Sequence, residues 1–206
     1  MQTFAHPFQP APRAAQRGVT LIVVLLILVV VTVLGIGGAQ IALLGERSTR
    51  YDRDYLVATQ AAEAALMDAE FDIRGPNTST SKRMDKFNQT DFAYFVPGCG
   101  SDSATRGMCE ANADEVKPLW ATVDFLDESN TARSVKFGDY TGRTFDSGAG
   151  VRPARSPRYI IELIDDQCPK CSAAKPAKMY RVTAIGFGPR TDIQVVMQIA
   201  FRKEKG

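Results

Sequence analysis

Histidine is almost absent from this 206-residue chain, which has only His6. Histidine is the usual general acid or base near neutral pH, and it takes part in Ser-His-Asp sites and in most metal-ligand sets. The chain also has no GxxxxGK[ST] phosphate loop and no GxGxxG dinucleotide fingerprint. The acidic residues Asp124, Asp127 and Glu128 do not have the spacing of an EF-hand calcium loop. We therefore predict no enzyme activity, no metal site and no cofactor.

Net charge is also low, at +2. The first 18 residues supply this excess, because they contain Arg13 and Arg17 and no acidic residue, so the rest of the chain is electrically neutral. A nucleic-acid-binding surface requires a basic patch. We therefore predict no binding to nucleic acid.

Charge is completely missing from the 27 residues between Val19 and Gly45. A helix needs about 20 apolar residues to cross a bilayer, so this segment is long enough. The apolar core of a cleaved secretory signal has only roughly 7–15 residues and ends at a small-residue cleavage site. Because Arg13 and Arg17 precede the segment without acids, the positive-inside rule predicts a cytoplasmic N-terminus and an exported domain after the segment.

The residues that follow predict a continuation of the same helix. No glycine or proline occurs between Glu46 and Gly75-Pro76, so one helix is expected from Val19 to Arg74. Apolar residues at steps of three and four predict a stripe that faces a protein core: Tyr51, Tyr55, Ala58, Ala62, Ala65, Ala69 and Ile73, with Leu66 beside them. Charged residues are expected mostly off this stripe: Asp52, Arg53, Asp54, Glu63, Asp68, Glu70 and Asp72.

Three segments near the C-terminus are rich in β-branched and aromatic residues. They read RYIIELI, MYRVTAIGFG and DIQVVMQIAF, with GFGPRTD as a hairpin loop between the last two. Combined with the long helix, they predict an α+β fold of two layers. The apolar half of the helix would lie in a membrane, or, as the resemblance described below implies, in a filament core, and its second half would pack on a small antiparallel sheet.

Four cysteines are present: Cys99, Cys109, Cys168 and Cys171. An even number in an exported domain predicts disulfides, and of the three possible pairings we expect the local one, Cys99–Cys109 with Cys168–Cys171. The CPKC sequence is also a thiol–disulfide oxidoreductase motif, but here SAAKPAKM follows it instead of a long helix. A four-cysteine zinc site fits the CPKC half, whereas the spacing of the other two cysteines is poor.

The order of these features resembles that of a type IV pilin precursor. A short basic leader ends in Gly18, an apolar helix begins at once, and its amphipathic continuation precedes a C-terminal domain. The stretch RGVTLIVVLLILVVVTVLG with the later QAAEAALMDAE is more closely similar to the PilX-type minor pilins. YRVTAIGFGPRTDIQVVMQIAFR resembles the last two strands of that group, whereas the middle of the chain carries little of the resemblance. The resemblance implies a pilin-like roll.

The resemblance also implies how the chain is processed and divided. A prepilin peptidase in the inner membrane would cut after Gly18 on the cytoplasmic side and methylate the amine of Val19. The exported domain would then lie in the periplasm, and after assembly in the pilus fibre at the cell surface. The implied segments are a leader (1–18), an assembly helix (19–45), an amphipathic helix (46–74), a variable connection with the disulfide loop (75–158) and a β-sheet (159–206).

One residue departs from the general pilin pattern. Most pilins and pseudopilins have glutamate at the fifth position after the cut, and this chain has Val23 there. A carboxylate deep in a bilayer is costly unless it is paired, and in pilins the partner is the N-terminal amine of a neighbouring subunit. A subunit without the carboxylate cannot make this pairing to a subunit above it. Since only the filament tip has no subunit above, Val23 predicts a position at the tip.

The implied function is that of a minor pilin at or near the tip, which primes filament assembly with other minor pilins. It would contact them and the major pilin through its N-terminal helix, and it would carry a PilY-type tip adhesin. A tip pseudopilin of a type II secretion system is the alternative in the same class, although residues 75–158 offer no large helical domain. A membrane-anchored periplasmic thiol–disulfide protein that uses Cys168 and Cys171 is the alternative from another class. Twitching, adhesion and DNA uptake stay open as the purpose of the filament.

Overall fold

A computed structural model of the chain describes residues 19–87, 92–111, 117–146, 148–166 and 178–203. Within these ranges the backbone forms one α-helix, six strands and two short 3-10 helices. They are α1 (Val19–Arg74), β1 (Val96–Pro97), β2 (Met108–Glu110), β3 (Val135–Lys136), β4 (Arg158–Asp165), β5 (Lys178–Phe187) and β6 (Gln194–Phe201), with the 3-10 helices at Met84–Lys86 and Leu119–Thr122. The chain divides into two compact units, Met1–Thr49 and Arg50–Gly206.

The part of α1 in the first unit is apolar and exposed on all sides. Its large apolar side chains between Val19 and Leu44 are 48–76% exposed. Among the described residues, α1 is a helix long and apolar enough to cross a membrane, by length and composition. A contiguous apolar surface of this extent is typical of a segment that is covered by lipid or by another protein.

In the second unit, α1 packs on the sheet through small side chains. The buried residues on this face of the helix are Ala58, Ala61, Ala62, Ala65, Ala69 and Ile73. The last three belong to a core cluster with Tyr159 of β4 and Tyr180 of β5. Because alanine side chains are short, the helix backbone comes close to β5. A Cβ atom on Gly186 would overlap the Ala58 carbonyl oxygen and the Ala62 amide nitrogen.

The sheet is mixed, with strand order β1-β2-β4-β5-β6, and β3 also pairs with β4. The three long strands are antiparallel, with Tyr159 opposite Ala184 and Val182 opposite Ile199. The predicted helix and these three strands are therefore confirmed. Their predicted antiparallel pairing is confirmed, and β1 and β2, which were not predicted, extend the sheet as parallel strands in the order β1-β2-β4. Strands of two or three residues are too short to show a period-two pattern in the sequence.

The second face of the sheet carries its own core. Side chains alternate along a strand, so Ile160 of β4 and Ile185 and Phe187 of β5 point away from α1. They pack with the Cys99 and Cys109 side chains and with further buried residues, Leu119, Val123 and Phe125. The cysteine loop and the second 3-10 helix therefore cover one end of this face.

Two details of the predicted helix stripe are wrong. Tyr51 and Tyr55 are 59% and 47% exposed, and their rings stack on each other with centroids 6.5 Å apart. The buried face of α1 therefore begins at Ala58. Asp68 and Asp72, which were expected off the stripe, are fully buried, because other parts of the second unit supply partners for both carboxylates.

Candidate functional site

The first candidate site is the exposed start of α1. Val19 is the first residue of the helix and Val23 follows it by about one turn. Their side chains are 62% and 49% exposed. The Thr32 hydroxyl donates to the Leu28 carbonyl oxygen at 2.9 Å, so this polar group is satisfied inside the helix. Such bonding suits a helix in apolar surroundings. Gly18, the residue before the expected cleavage point, lies outside the described residues.

The second unit is anchored to α1 by a buried ion pair. Arg83 and Asp72 have side chains only 1% and 0% exposed. The Arg83 Nη2 lies 2.7 Å from the Asp72 Oδ2, and its Nε lies 3.1 Å from both carboxylate oxygens. The Tyr159 hydroxyl donates to the Asp72 Oδ2 at 2.9 Å. Burial alone would lower the pKa of the Arg83 guanidinium, but the Asp72 carboxylate outweighs burial and the pKa is raised.

The same arginine connects further parts of the unit. Its Nη1 donates to the Arg106 carbonyl oxygen at 2.6 Å, and its Cζ lies 3.6 Å from the centroid of the Tyr140 ring. Burial raises the pKa of the Tyr159 hydroxyl well above its usual value, and the Asp72 carboxylate adds to this. Tyr159 therefore stays protonated and serves as a donor. Removing one partner of a buried pair costs about 3–5 kcal/mol, so this network stabilises the packing of α1.

Asp68 makes a second buried anchor one helical turn earlier. Its Oδ2 accepts the Gly138 N–H at 2.8 Å, and its Oδ1 accepts the Thr141 hydroxyl at 2.5 Å. Burial raises the pKa of this carboxyl, although the hydrogen bonds from Gly138 and Thr141 oppose the rise. Both aspartates were expected off the buried stripe. Their spacing of four residues beside Ala65 and Ala69 was the signal that could have placed them on the buried face.

The outer face of the sheet has a polar cluster that holds the three long strands together. Glu162 of β4 is fully buried and pairs with Arg181 of β5, with the Arg181 Nη2 2.7 Å from the Glu162 Oε1. The hydrogen bond to Glu162 raises the pKa of the Arg181 guanidinium. The Gln198 side chain of β6 donates to the Thr183 hydroxyl at 2.8 Å. These bonds are structural, because each polar group has a protein partner.

Cys99 and Cys109 form a disulfide, with their Cα atoms 4.1 Å apart. The bond closes the loop that leads into β2, which pairs with β4. Cys168 and Cys171 lie outside the described residues, so their pairing stays a prediction. The described part of the chain has no group of three or more His, Cys, Asp or Glu that could hold a metal ion. Asp124 and Asp127 instead accept backbone N–H bonds from Leu126 and Ser129, each at 2.8 Å.

Two family models match the chain, one over its N-terminal part and one over its C-terminal part. The model of the family described as type IV pilus assembly protein PilX C-term matches residues 77–203, and that described as PilX N-terminal matches residues 17–66. No curated protein and no solved structure matches the chain. The C-terminal match alone covers more than half of the sequence. The chain therefore belongs to the PilX family of type IV pilus assembly proteins.

Proposed function

We propose that the chain is a minor pilin that sits at or near the tip of a type IV pilus and primes filament assembly with other minor pilins. The observation that carries this proposal is the exposed apolar segment Val19–Leu44, with Val23 in place of the usual pilin glutamate. Membership of the PilX family supports the role in a pilus. The tip position rests on Val23, because a subunit without this carboxylate cannot pair with the amine of a subunit above it.

Before assembly, the apolar segment lies in the inner membrane with the N-terminus in the cytoplasm and the sheet domain in the periplasm. Prepilin peptidase removes residues 1–18 and methylates the new amine of Val19. The intact mass of the protein from membranes, with sequencing of its N-terminal peptide, tests this step. We expect a chain that starts at methylated Val19. A chain that starts at Met1 would mean that the segment is an unprocessed membrane anchor. The inference of a tip position from Val23 would then fail.

In the filament, α1 contacts other minor pilins and the major pilin, and the sheet domain carries a PilY-type tip protein. The same apolar surface suits both lipid and a bundle of apolar helices, so the subunit can leave the membrane without exposing it to water. Deleting the gene is expected to remove most surface pili, and the wild-type gene supplied in trans should restore them. Normal numbers of pili in the deletion strain would contradict the priming role.

The two alternatives predict different results. A tip pseudopilin would have secretion genes as its genomic neighbours, whereas the PilX family match favours pilus genes. A thiol–disulfide enzyme would reduce insulin by means of Cys168 and Cys171. We expect no insulin reduction above background from the purified full chain, and measurable turnover would contradict a non-enzymatic role.

A further inference from the structure

A polar pocket of about 230 Å³ lies at the start of β4 in the second unit. Three cations line it: Arg106, from the loop before β2, Lys136 of β3 and Arg158 of β4. The structure gives none of the three an ion pair within the described residues, although the chain has several ion pairs elsewhere. This unbalanced positive charge requires an explanation.

Arg158 is the most unusual of the three, because it is a buried cation at only 6% exposure. Its Nε donates to the Ser134 hydroxyl at 2.8 Å and its Nη2 to the Ser134 carbonyl oxygen at 3.0 Å. Its Nη1 donates no hydrogen bond to the described part of the chain. Burial lowers the pKa of this guanidinium more than the acidic groups Asp139 and Glu128 raise it. A buried charge without a counterion is costly.

The neighbours of Arg158 add positive charge. Lys136 is its direct partner across the antiparallel β3–β4 ladder, and like charges in directly opposite positions destabilise a sheet. The Arg106 Nη2 donates to two carbonyl oxygens, those of Ser101 and Asn130. The Arg106 Nε is buried and has no hydrogen-bond partner among the described residues. Each cation therefore keeps donor capacity that the described residues do not use.

The two carboxylates that line the pocket, Glu128 and Asp139, leave its three cations one positive charge in excess. Glu128 is exposed and pairs with the half-buried Arg155, with a distance of 3.2 Å from the Glu128 Oε1 to the Arg155 Nη1. Asp139 also lines the pocket. Neither Asp139 nor Glu128 forms an ion pair with Arg106, Lys136 or Arg158. The hydroxyls of the lining residues Ser129 and Ser156 are further possible donors.

We propose that this pocket binds a carboxylate of a partner protein in the pilus, presented as an acidic side chain or a chain terminus. The identity of the partner as a pilus protein rests on the proposed function, whereas the carboxylate site does not. Guanidinium and ammonium donors that converge on a small cavity suit an oxyanion, and hydrogen bonds between charged partners are roughly twice as strong as neutral ones. A bound carboxylate would offset the repulsion between Lys136 and Arg158.

The carboxylate site is tested with the full chain in neutral detergent. Acetate is titrated at constant ionic strength against a chloride reference, and the unfolding temperature is followed through Trp120 fluorescence. We expect acetate to raise the unfolding temperature of the wild type in a saturable way. The apparent affinity for acetate should be at least tenfold weaker in Lys136→Gln and unchanged in Lys82→Gln, which replaces an exposed lysine outside the pocket. Lys136 is also exposed, so its variant should fold even if Arg158→Gln does not. An acetate response equal to that of chloride, or equal in Lys136→Gln and wild type, would overturn the site.

Inorganic phosphate in the same titration distinguishes a site for carboxylates from a site for phosphate. A phosphate response at tenfold lower concentration than acetate would overturn a carboxylate as the ligand. In cells, Lys136→Glu is expected to reduce surface pili at least tenfold, whereas Lys82→Glu should leave their number unchanged. Normal pili in Lys136→Glu cells, in a strain that needs the gene for pili, would overturn the pilus partner. If the deletion strain itself keeps its pili, the proposed function fails and the acetate result still decides the site.

Discussion

Arg83 and Asp72 illustrate how one buried ion pair connects distant segments, because Asp72 also accepts from Tyr159, 87 residues away, and Arg83 donates to the Arg106 carbonyl oxygen. Arg83→Met is expected to destabilise the second unit by about 3–5 kcal/mol, because it leaves the Asp72 carboxylate buried without its counterion. The Tyr159 hydroxyl alone would remain as a donor to this carboxylate. Unfolding of the full chain in neutral detergent, followed through Trp120 fluorescence, measures the change.

Two variants serve as controls for this prediction. Arg190→Met removes an arginine from an exposed pair with Asp192, whose side chains are 71% and 61% exposed, and it should cost no more than about 1 kcal/mol. The double variant Asp72→Asn with Arg83→Met removes both charges, so it should cost less than Arg83→Met alone. Equal losses for Arg83→Met and Arg190→Met would contradict the role of the buried pair.

Asp68 gives the second unit a dependence on pH. Burial raises the pKa of this carboxyl, so the folded state binds the proton more tightly than the unfolded state does. Its contribution to the free energy of unfolding is therefore largest at low pH, and it is lost as pH rises through the folded pKa. Asp68→Asn removes this contribution, so its unfolding temperature should fall less than that of the wild type as pH rises.

Measuring unfolding temperatures of both proteins from about pH 4 to 7 covers the range in which a raised carboxyl pKa acts. Asp52→Asn, which replaces an exposed carboxylate on the same helix, controls for the change in net charge. Parallel curves for the wild type and Asp68→Asn would show that burial does not perturb this group.

At the scale of elements, the packing of α1 on β5 depends on the absence of a side chain at Gly186. Gly186→Ala is expected to cost about 1–3 kcal/mol or more by overpacking, because the new Cβ would meet helix backbone, including the Ala61 carbonyl carbon at 3.0 Å. Gly45→Ala makes the same chemical change at a helix position with no atom within 4 Å. It should instead favour the helix by about 1 kcal/mol. The unfolding free energies of both variants would test this contrast, and equal effects would contradict it.

The disulfide stabilises a different element, the loop that leads into β2. Replacing both Cys99 and Cys109 by alanine is expected to lower the free energy of unfolding by about 3 kcal/mol, since this loop spans 10 residues in sequence. The matched double variant at Cys168 and Cys171 opens a shorter predicted loop and should cost nearer 2 kcal/mol. Chemical unfolding of both variants measures the difference. No loss in the first variant would indicate that the loop stays ordered without its crosslink.

The helix and the three long strands were predictable because each has a strong local pattern. Val19–Arg74 combines helix formers with a stop at Gly75-Pro76, and the long strands have β-rich runs bounded by turn residues. The positions of β1, β2 and β3 were not predictable, because their pairing partners lie elsewhere in the chain: β2 and β3 pair with β4, and β1 pairs with β2. The partners of Asp68 and Asp72 were not predictable, since they lie 11 to 87 residues away, although the spacing of the two aspartates beside Ala65 and Ala69 indicates the buried face.

At the scale of the whole molecule, the chain combines two surfaces of opposite character. The start of α1 is apolar and exposed, whereas the second unit has a buried apolar core and presents polar features such as the pocket near Arg158. The exposed apolar surface could be predicted from the sequence, because a long run of uncharged, apolar residues can be recognised without knowing the tertiary contacts. The pocket could not, because Arg106, Lys136 and Arg158 come from three separate segments. Only the pairing of β3 with β4 places the last two side by side.

The proposed tip position predicts how many copies of this subunit each filament contains. Val23→Glu supplies the carboxylate that pilins pair with the amine of a neighbouring subunit. Entering the membrane with this charge costs about 2.5–3.5 kcal/mol, and pairing in the filament would offset that cost. We therefore expect the ratio of this chain to major pilin in sheared filaments, measured by quantitative mass spectrometry, to be low in the wild type and to rise in Val23→Glu.

Val24→Glu is the matched control for this experiment. It adds the same charge to the same apolar segment, but the side chain is rotated by about 100° around the helix, so it cannot reach the same amine. Its ratio should stay at or below that of the wild type. A Val23→Glu ratio equal to that of Val24→Glu would mean that the missing carboxylate does not restrict the subunit to the tip. A high ratio in the wild type would mean that the chain already enters the filament shaft. It would then have subunits above and below it without the carboxylate that pairs with the neighbouring amine.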